Sequence, residues 1–195
     1  MRVTTHFLLW TLGLARPSTQ TTDAERACLV SHAERKKRLV EIGVWHGVTT
    51  RLLRKAMAAD GILFAVDPYP IGRFGFSPQR VIAQRQLKKV NNGTLCWVRK
   101  TGAEAGKDFR QSENEPIDFL FIDGDHSFEG LRGDWEAWSS LVLAAGVVAL
   151  HDSCSSKTRN IDEAGSVQYT DSVIRKDSRF QFVESVDTLS VFRRV

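Results

Sequence analysis

Pro116-Ile117-Asp118-Phe119-Leu120-Phe121-Ile122-Asp123-Gly124-Asp125-His126 is the stretch on which the fold turns. A proline opens it, six mostly apolar residues read as a strand, and the strand stops abruptly at two acids and a histidine. So many ionisable groups at the tip of a buried strand mark a site, because burial there perturbs their pKa values. Downstream, a helix over 128–143 leads through Gly146 to a strand over 147–150, which ends in Leu150-His151-Asp152-Ser153. Upstream, strands over 39–44, 62–66 and 95–98 alternate with helices over 48–58, 78–90 and 103–109. Asn91-Asn92-Gly93 closes the second of these helices. After a polar stretch over 153–161 come a helix near 164–176 and two strands, 179–185 and 188–193, that straddle Val186-Asp187 as an antiparallel hairpin. The alternation implies an α/β fold: one doubly wound sheet of seven strands, mostly parallel with a C-terminal antiparallel hairpin, and helices on both faces.

The 195 residues fit one domain with a full hydrophobic core, made of a helical amino-terminal extension over 1–35 and an α/β core over 36–195. Hydrophobic residues at 42% and charged residues at 26% are ordinary for a soluble globular protein. Cys28, Cys96 and Cys154 are far apart and form no CxxC pair. They fit neither a disulfide framework nor a zinc knuckle, and a reducing cytoplasm is the expected setting. The apolar run from Phe7 to Ala15 is far short of the roughly 20 residues that span a bilayer. It reads as a packing helix over 4–14, which could also meet a second copy in a homo-oligomer. The net charge of +4 comes from groups such as Arg35-Lys36-Lys37-Arg38, placed where helices show water their polar faces. Neither nucleic acid nor membrane is expected as a partner.

In an open α/β sheet, ligands sit beyond the carboxyl ends of the strands, where strand order reverses. After the first strand come Glu41-Ile42-Gly43-Val44-Trp45-His46-Gly47 and then Thr49. One glycine lets backbone approach a ligand and the other allows the tight turn into a helix. The third glycine of a dinucleotide fingerprint is missing, as is the lysine of a phosphate loop. Asp67 lies 24 residues beyond Gly43 at the tip of the second strand. It can accept hydrogen bonds from both ribose hydroxyls of a nucleoside, or cap a turn through Asp67-Pro68. The small residues of Lys100-Thr101-Gly102-Ala103-Glu104 leave room for an adenine ring, or serve a tight strand-helix turn. If strands four and five are neighbours, Asp123, His151 and Asp152 come together at their tips. These are nitrogen and oxygen ligands for Mg²⁺ or Mn²⁺, with the histidine tilting toward a borderline metal, or an acid/base site without one.

Glu41-Ile42-Gly43 with Gly47, Asp67 and the run Phe121-Ile122-Asp123-Gly124-Asp125-His126-Ser127-Phe128-Glu129-Gly130 resemble the class I S-adenosylmethionine-dependent methyltransferases, whose sheets are Rossmann-like. The segment from Asp134-Trp135-Glu136-Ala137-Trp138 to Leu150-His151-Asp152-Ser153 is similar to the branch with macrocin O-methyltransferase-like and cephalosporin hydroxylase-like proteins. The likeness covers about residues 39–155. It implies that Glu41, Gly43, Val44, Trp45, Gly47 and Thr49 form the turn against the methionine part of the cofactor, with Asp123 beside them. It places Asp67 on the ribose and Gly102, Ala103 and Glu104 around the adenine. His126 matches the general base of some relatives and Asp125 that of others, while Asp123, His151 and Asp152 match positions that hold a divalent ion. Strand four should then lie between strands one and five. Two departures stand out: His151 precedes Asp152 where relatives often have two adjacent acids, and Ala144-Ala145-Gly146 replaces a usual Pro-Gly-Gly.

Methyl transfer is an in-line displacement at a sulfonium methyl, so such an enzyme aligns the acceptor oxygen and removes its proton. A neutral imidazole, with an ordinary pKa of ~6.5, suits that base. The loop over 69–77 would cover the acceptor with Tyr69, Arg73, Phe74 and Phe76, unless the phenylalanines simply pack down. Trp135 and Trp138, three apart on one helix, read as core, and Cys154 has no base to activate it. The resemblance favours a small-molecule acceptor that is a sugar or glycosylated metabolite over a phenol. Two other classes stay open on sequence alone: a nicotinamide-dependent (NAD) oxidoreductase, and a non-catalytic nucleoside- or RNA-binding protein.

Overall fold

The structure is a computed structural model that describes residues 3–72, 75–112 and 115–195. Strand β4 (Ile117–Ile122) lies at its centre, and its five apolar side chains are all buried. They part by parity, Leu120 and Ile122 into one core and Phe119 and Phe121 into the other, as a strand covered on both faces must. Helices α5 (Gly102–Gln111), α6 (Phe128–Trp138) and α7 (Gly165–Ser172) cover the first face. Helices α2 (Asp23–Ala33) and α3 (Val48–Ala56) cover the second, and α1 (Val3–Thr11) rests on α4 (Pro78–Leu87). Trp135 and Trp138 are core residues, as their spacing predicts.

The remaining strands are β1 (Arg38–Ile42), β2 (Ile62–Val66), β3 (Thr94–Val98), β5 (Val142–Leu150), β6 (Phe180–Val186) and β7 (Leu189–Arg194). They form one sheet in the order β3-β2-β1-β4-β5-β7-β6, with β1 to β5 parallel and β7 antiparallel to both its neighbours. Strand order reverses between β1 and β4, so a crevice opens there at the carboxyl ends. The register decides what lines it. Ile42 stands level with Val66 and Ile122, and Ile122 with Leu150. The residues that follow therefore form a row, held by backbone bonds from Gly43 N–H to Val66, Asp123 N–H to Ile42 and His151 N–H to Ile122.

Four helices end earlier than the sequence suggests: α3 and α4 lose two and three residues at Ala56 and Leu87, and two others lose more. The one expected over 128–143 stops at Trp138; a single 3₁₀ turn, Ser139–Leu141, follows, and β5 starts at Val142. Leu141-Val142-Leu143-Ala144-Ala145 tolerates helix in isolation, but Val142 pairs with Ile117 and Ala145 turns to φ +63°. The slip in β4–β5 register between Ile117 and Phe119 absorbs the extra residues, and tertiary pairing overrides local propensity. The helix expected over 164–176 likewise breaks at Ser172 into a 3₁₀ turn, Ile174–Lys176. The amino-terminal extension holds a second helix, α2, whose start is a Thr-x-x-Glu capping box. Glu25 N–H donates to the Thr22 hydroxyl, and Thr22 N–H donates back to the Glu25 carboxylate at 2.7 Å. Among the described residues, no helix is long and apolar enough to cross a membrane.

Candidate active site

A cavity of about 640 Å³ opens over the tips of β1, β2 and β4. Gly43 is the point where β1 turns away beneath it. Its φ is +90°, and a Cβ there would stand 1.9 Å from the Asp123 carbonyl oxygen, so no other residue fits. The turn it starts is strapped to β2 by Asp67. One carboxylate oxygen of Asp67 accepts the N–H groups of Val44 and Trp45 at 3.1 and 2.9 Å, and the other accepts that of Tyr69 at 2.8 Å. Burial raises the Asp67 pKa, and the three backbone donors act against that rise. The oxygen bound by Val44 and Trp45 is filled, and the one bound by Tyr69 alone keeps a further lone pair for a ligand hydroxyl.

Val44, Trp45, Thr49, Gly102, Ala103, Asp123, Asp125 and His126 also line this cavity, so most of the expected cofactor and catalytic residues are brought together. His126 is about one-third exposed, and its Nε2 lies 3.5 Å from Asp123 Oδ1. Asp125 is tied into the next turn, its carboxylate accepting the Ser127 N–H at 2.9 Å. Gly47 holds the N-cap of α3 at φ +72° and does not face the cavity.

Several expected site residues are elsewhere. Glu41 is buried below the turn; desolvation raises it well above the usual carboxylate range, the Thr50 hydroxyl opposes this, and Asp123 and Asp67 add to it. Glu104 is exposed and closes a capping box with Thr101, whose N–H it accepts at 3.0 Å. The Thr-x-x-Glu spacing is that of a helix cap, and it takes Glu104 out of the adenine set. Tyr69 is 1% exposed and donates its hydroxyl to the Trp45 carbonyl at 3.1 Å, which buries it beyond the reach of an acceptor. Phe76 packs on Phe7 of α1 at 5.6 Å between ring centres. Arg73 and Phe74, the rest of the expected acceptor set, lie outside the described residues.

His151 and Asp152 sit behind the cavity wall. Asp152 turns at φ +48° and gives both carboxylate oxygens to the Arg159 guanidinium, one at 2.9 Å. The His151 ring is fully enclosed. Its Nδ1 lies 2.8 Å from Asp123 Oδ1, and its Nε2 lies 3.5 Å from Glu25 and 3.8 Å from Asp152. Neither nitrogen is in line for a straight hydrogen bond, so the contacts are chiefly charge on charge. Burial alone would lower the His151 pKa, but the Asp123 and Glu25 carboxylates, helped by Asp152, outweigh it and push it up to about 10. Burial likewise works to raise Glu25, yet His151 and the donors of Thr22 and Thr188 bring it down to about 2.

Sequence reasoning missed one wall altogether. Ser18, Thr19 and Gln20, from the link between α1 and α2, close the cavity from the extension side. His46 holds them there: its Nδ1 accepts the Ser18 N–H at 3.0 Å, and its ring stacks on His6 and Trp45. Burial and His6 lower it to about 4, so it stays neutral. Nothing in the local pattern announces this contact. Asp134, on α6, was also missed. It is buried yet lines the cavity, and an acid between Leu131 and Trp135 on a core-facing stripe was a legible signal.

A protein-family model described as "Methyltransferase domain" matches residues 40–153, and the chain belongs to that family. The uncharacterized protein y4gI of Sinorhizobium fredii is 32% identical over 128 residues, which make up 62% of this chain and 14% of that protein. This chain thus spans a small part of that relative's length. Among solved structures, the O-methyltransferase TomG of Streptomyces achromogenes, involved in tomaymycin synthesis and bound to SAM, has a TM-score of 0.68 at 14% identity, covering 99% of this chain and 89% of that one. An O-methyltransferase of Bacillus cereus in complex with SAH has 0.66 at 14% identity, with the same two coverages of 99% and 89%. The N-methyltransferase NodS of Bradyrhizobium japonicum has 0.58 at 14% identity, covering 87% and 92%. These likenesses are of fold, and the fold serves both oxygen and nitrogen acceptors.

Proposed function

We propose that the chain is an S-adenosylmethionine-dependent O-methyltransferase that modifies a hydroxyl of a small molecule, a sugar or glycosylated metabolite, with His126 as general base. The observation that carries this reading is His126 itself, set on the rim of the cavity beside Asp123 and open to an incoming acceptor. The family assignment supports methyl transfer over nicotinamide chemistry or non-catalytic binding. The cavity also suits the cofactor, because Asp67 keeps an acceptor on its Tyr69-side oxygen for a ribose hydroxyl and Gly43 leaves backbone bare for the amino-acid end. When bound, S-adenosylmethionine supplies a sulfonium methyl that an oxygen displaces in line. The side chains here hold the partners and move one proton. With Nε2 turned to Asp123, Nδ1 of His126 is the nitrogen left to receive the hydroxyl proton, and Asp123 stabilises the imidazolium that forms. His151 fixes Asp123 from behind. Asp125, spent on the Ser127 turn, is the lesser candidate for the base.

The expected divalent site does not fit these residues. Asp152 is committed to Arg159, and the enclosed His151 ring lies between the Asp123, Glu25 and Asp152 carboxylates, which favour its protonated form over ligation. Donor atoms of Asp123, His126 and His151 do lie within 4.8 Å of one another, and a Mg²⁺ or Mn²⁺ ion among them would first have to displace the proton that the carboxylates hold on His151. A cytoplasmic setting, where the free thiols Cys28, Cys96 and Cys154 would persist, belongs to the same proposal. So does a homo-oligomer meeting near α1, where Leu8 and Leu12 are exposed.

The test is a methyl-transfer screen of sugar and phenol acceptors, read by S-adenosylhomocysteine release. Transfer to a sugar hydroxyl is expected. Transfer to phenols alone would overturn the acceptor class, and failure of the chain to bind S-adenosylhomocysteine would overturn the cofactor.

A further inference from the structure

Asp134 is a buried carboxyl that the transfer chemistry does not use. It projects from α6 between Leu131 and Trp135, is 5% exposed, and still borders the cavity. Two glycines make its space. A Cβ on Gly102 would lie 2.2 Å from Asp134 Oδ1, and one on Gly124 would lie 3.2 Å from Oδ2. The Ala103 N–H donates to the carboxyl. Burial and the nearby Asp125 raise its pKa to about 7 in spite of that donor.

The space in front of it suits a flat ring. Gly130 and Gly133 give that stretch of α6 no side chains, and a Cβ on Gly133 would face the Ala103 methyl at 3.5 Å. If the methyl group lies at His126 and the ribose at Asp67, as proposed above, the nucleobase falls beyond β2, against the first turn of α5. That is where Asp134 emerges. We infer that Asp134 accepts a hydrogen bond from the exocyclic 6-amino group of the cofactor's adenine and so selects the base. An amino group would bring a second donor beside that of Ala103, and the recognition of adenine moves from Glu104, which caps α5, to this residue on α6.

This inference rests on the cofactor reading, and its test separates the two. Calorimetry compares S-adenosylhomocysteine with its 6-desamino (purine riboside) analogue, which keeps N1 but lacks the amino group. The wild-type chain should bind the analogue about tenfold more weakly, the size expected for one lost hydrogen bond to a carboxyl. In Asp134→Ala both ligands should bind alike, and Asp134→Asn, whose amide oxygen still accepts, should restore the preference. If Asp134 only caps α5, Asp134→Ala lowers the melting temperature and leaves the wild-type preference unchanged, which overturns the inference. Equal affinities in the wild-type chain overturn it without any variant. Failure to bind S-adenosylhomocysteine at all overturns the cofactor reading, and this inference with it.

Discussion

Raising the pH from 7 to 9 should weaken the fold, and His151 is the reason. Its enclosed imidazole would be neutral on burial alone, but Asp123 and Glu25 hold its pKa at about 10, against an ordinary 6.5. Between those values the folded chain keeps a proton that the unfolded chain releases, so each pH unit removes about 1.4 kcal/mol of stability. The contribution is complete below pH 6.5 and gone above about 10. Two units inside the window come to roughly 3 kcal/mol, against a total margin of about 5–15 kcal/mol for a typical domain. The depressed Glu25 reports the same attraction from the other side and is counted once. Glu41, which burial raises, pulls in the same direction, while three other shifted groups act outside this range. Asp134, raised to about 7, loses its contribution as the pH climbs to neutrality; His46, lowered to about 4, acts on the acid side; and Cys28, raised to about 11, acts above 9. Urea midpoints at pH 7, 8 and 9 measure the slope. Glu25→Gln, which removes one carboxylate but keeps the side-chain size, should flatten it. A wild-type stability that stays level or rises over this range would refute the argument.

His126→Ala should lower turnover on the order of 10²-fold while S-adenosylhomocysteine affinity, measured by calorimetry, hardly changes; unchanged turnover removes His126 from the mechanism. Gly43→Ala forces a side chain into a positive φ and against the Asp123 carbonyl, so it should destabilise the chain by about 2–4 kcal/mol and abolish cofactor binding. Wild-type melting and affinity in that variant would show that the β1–β4 tip is looser than the geometry requires. Prolonged EDTA treatment should leave turnover intact; a loss restored by Mn²⁺ would put a metal back into the reaction.

The strands were legible because their apolar runs are short, bounded by turns and followed by chemistry. Ile117–Ile122 and Ile62–Val66 match their expected limits residue for residue. Boundaries failed where pairing decided conformation, as at Val142, whose partner Ile117 lies in another strand. The tips of β1, β2 and β4 were legible too, since parallel register makes the residue after each strand a neighbour of the next. What could not be read was which way a side chain turns once it reaches the tip. Asp152 follows His151 directly, but a positive φ sends it to Arg159, and only the fold reveals that arginine as its partner. Glu104 and Tyr69 looked like ligand residues by position, yet their bonds run to a helix end and to backbone. The Ser18–Gln20 wall depends on a contact with His46 across 28 positions, which no local pattern encodes.

Glu25 also has a consequence for how the chain is made. Its carboxylate accepts the N–H and hydroxyl of Thr188 at 2.9 and 2.7 Å, a clasp between residues 163 positions apart, while its other oxygen faces His151. Ser153, just past the tip of β5, is pinned to the same turn by its N–H on the Thr188 carbonyl. During synthesis the parallel strands can emerge and pair first, but the support behind Asp123 stays open until the last hairpin has left the ribosome. An alteration at the β6–β7 turn, which does not line the cavity, will therefore be felt at His126 through His151 and Asp123.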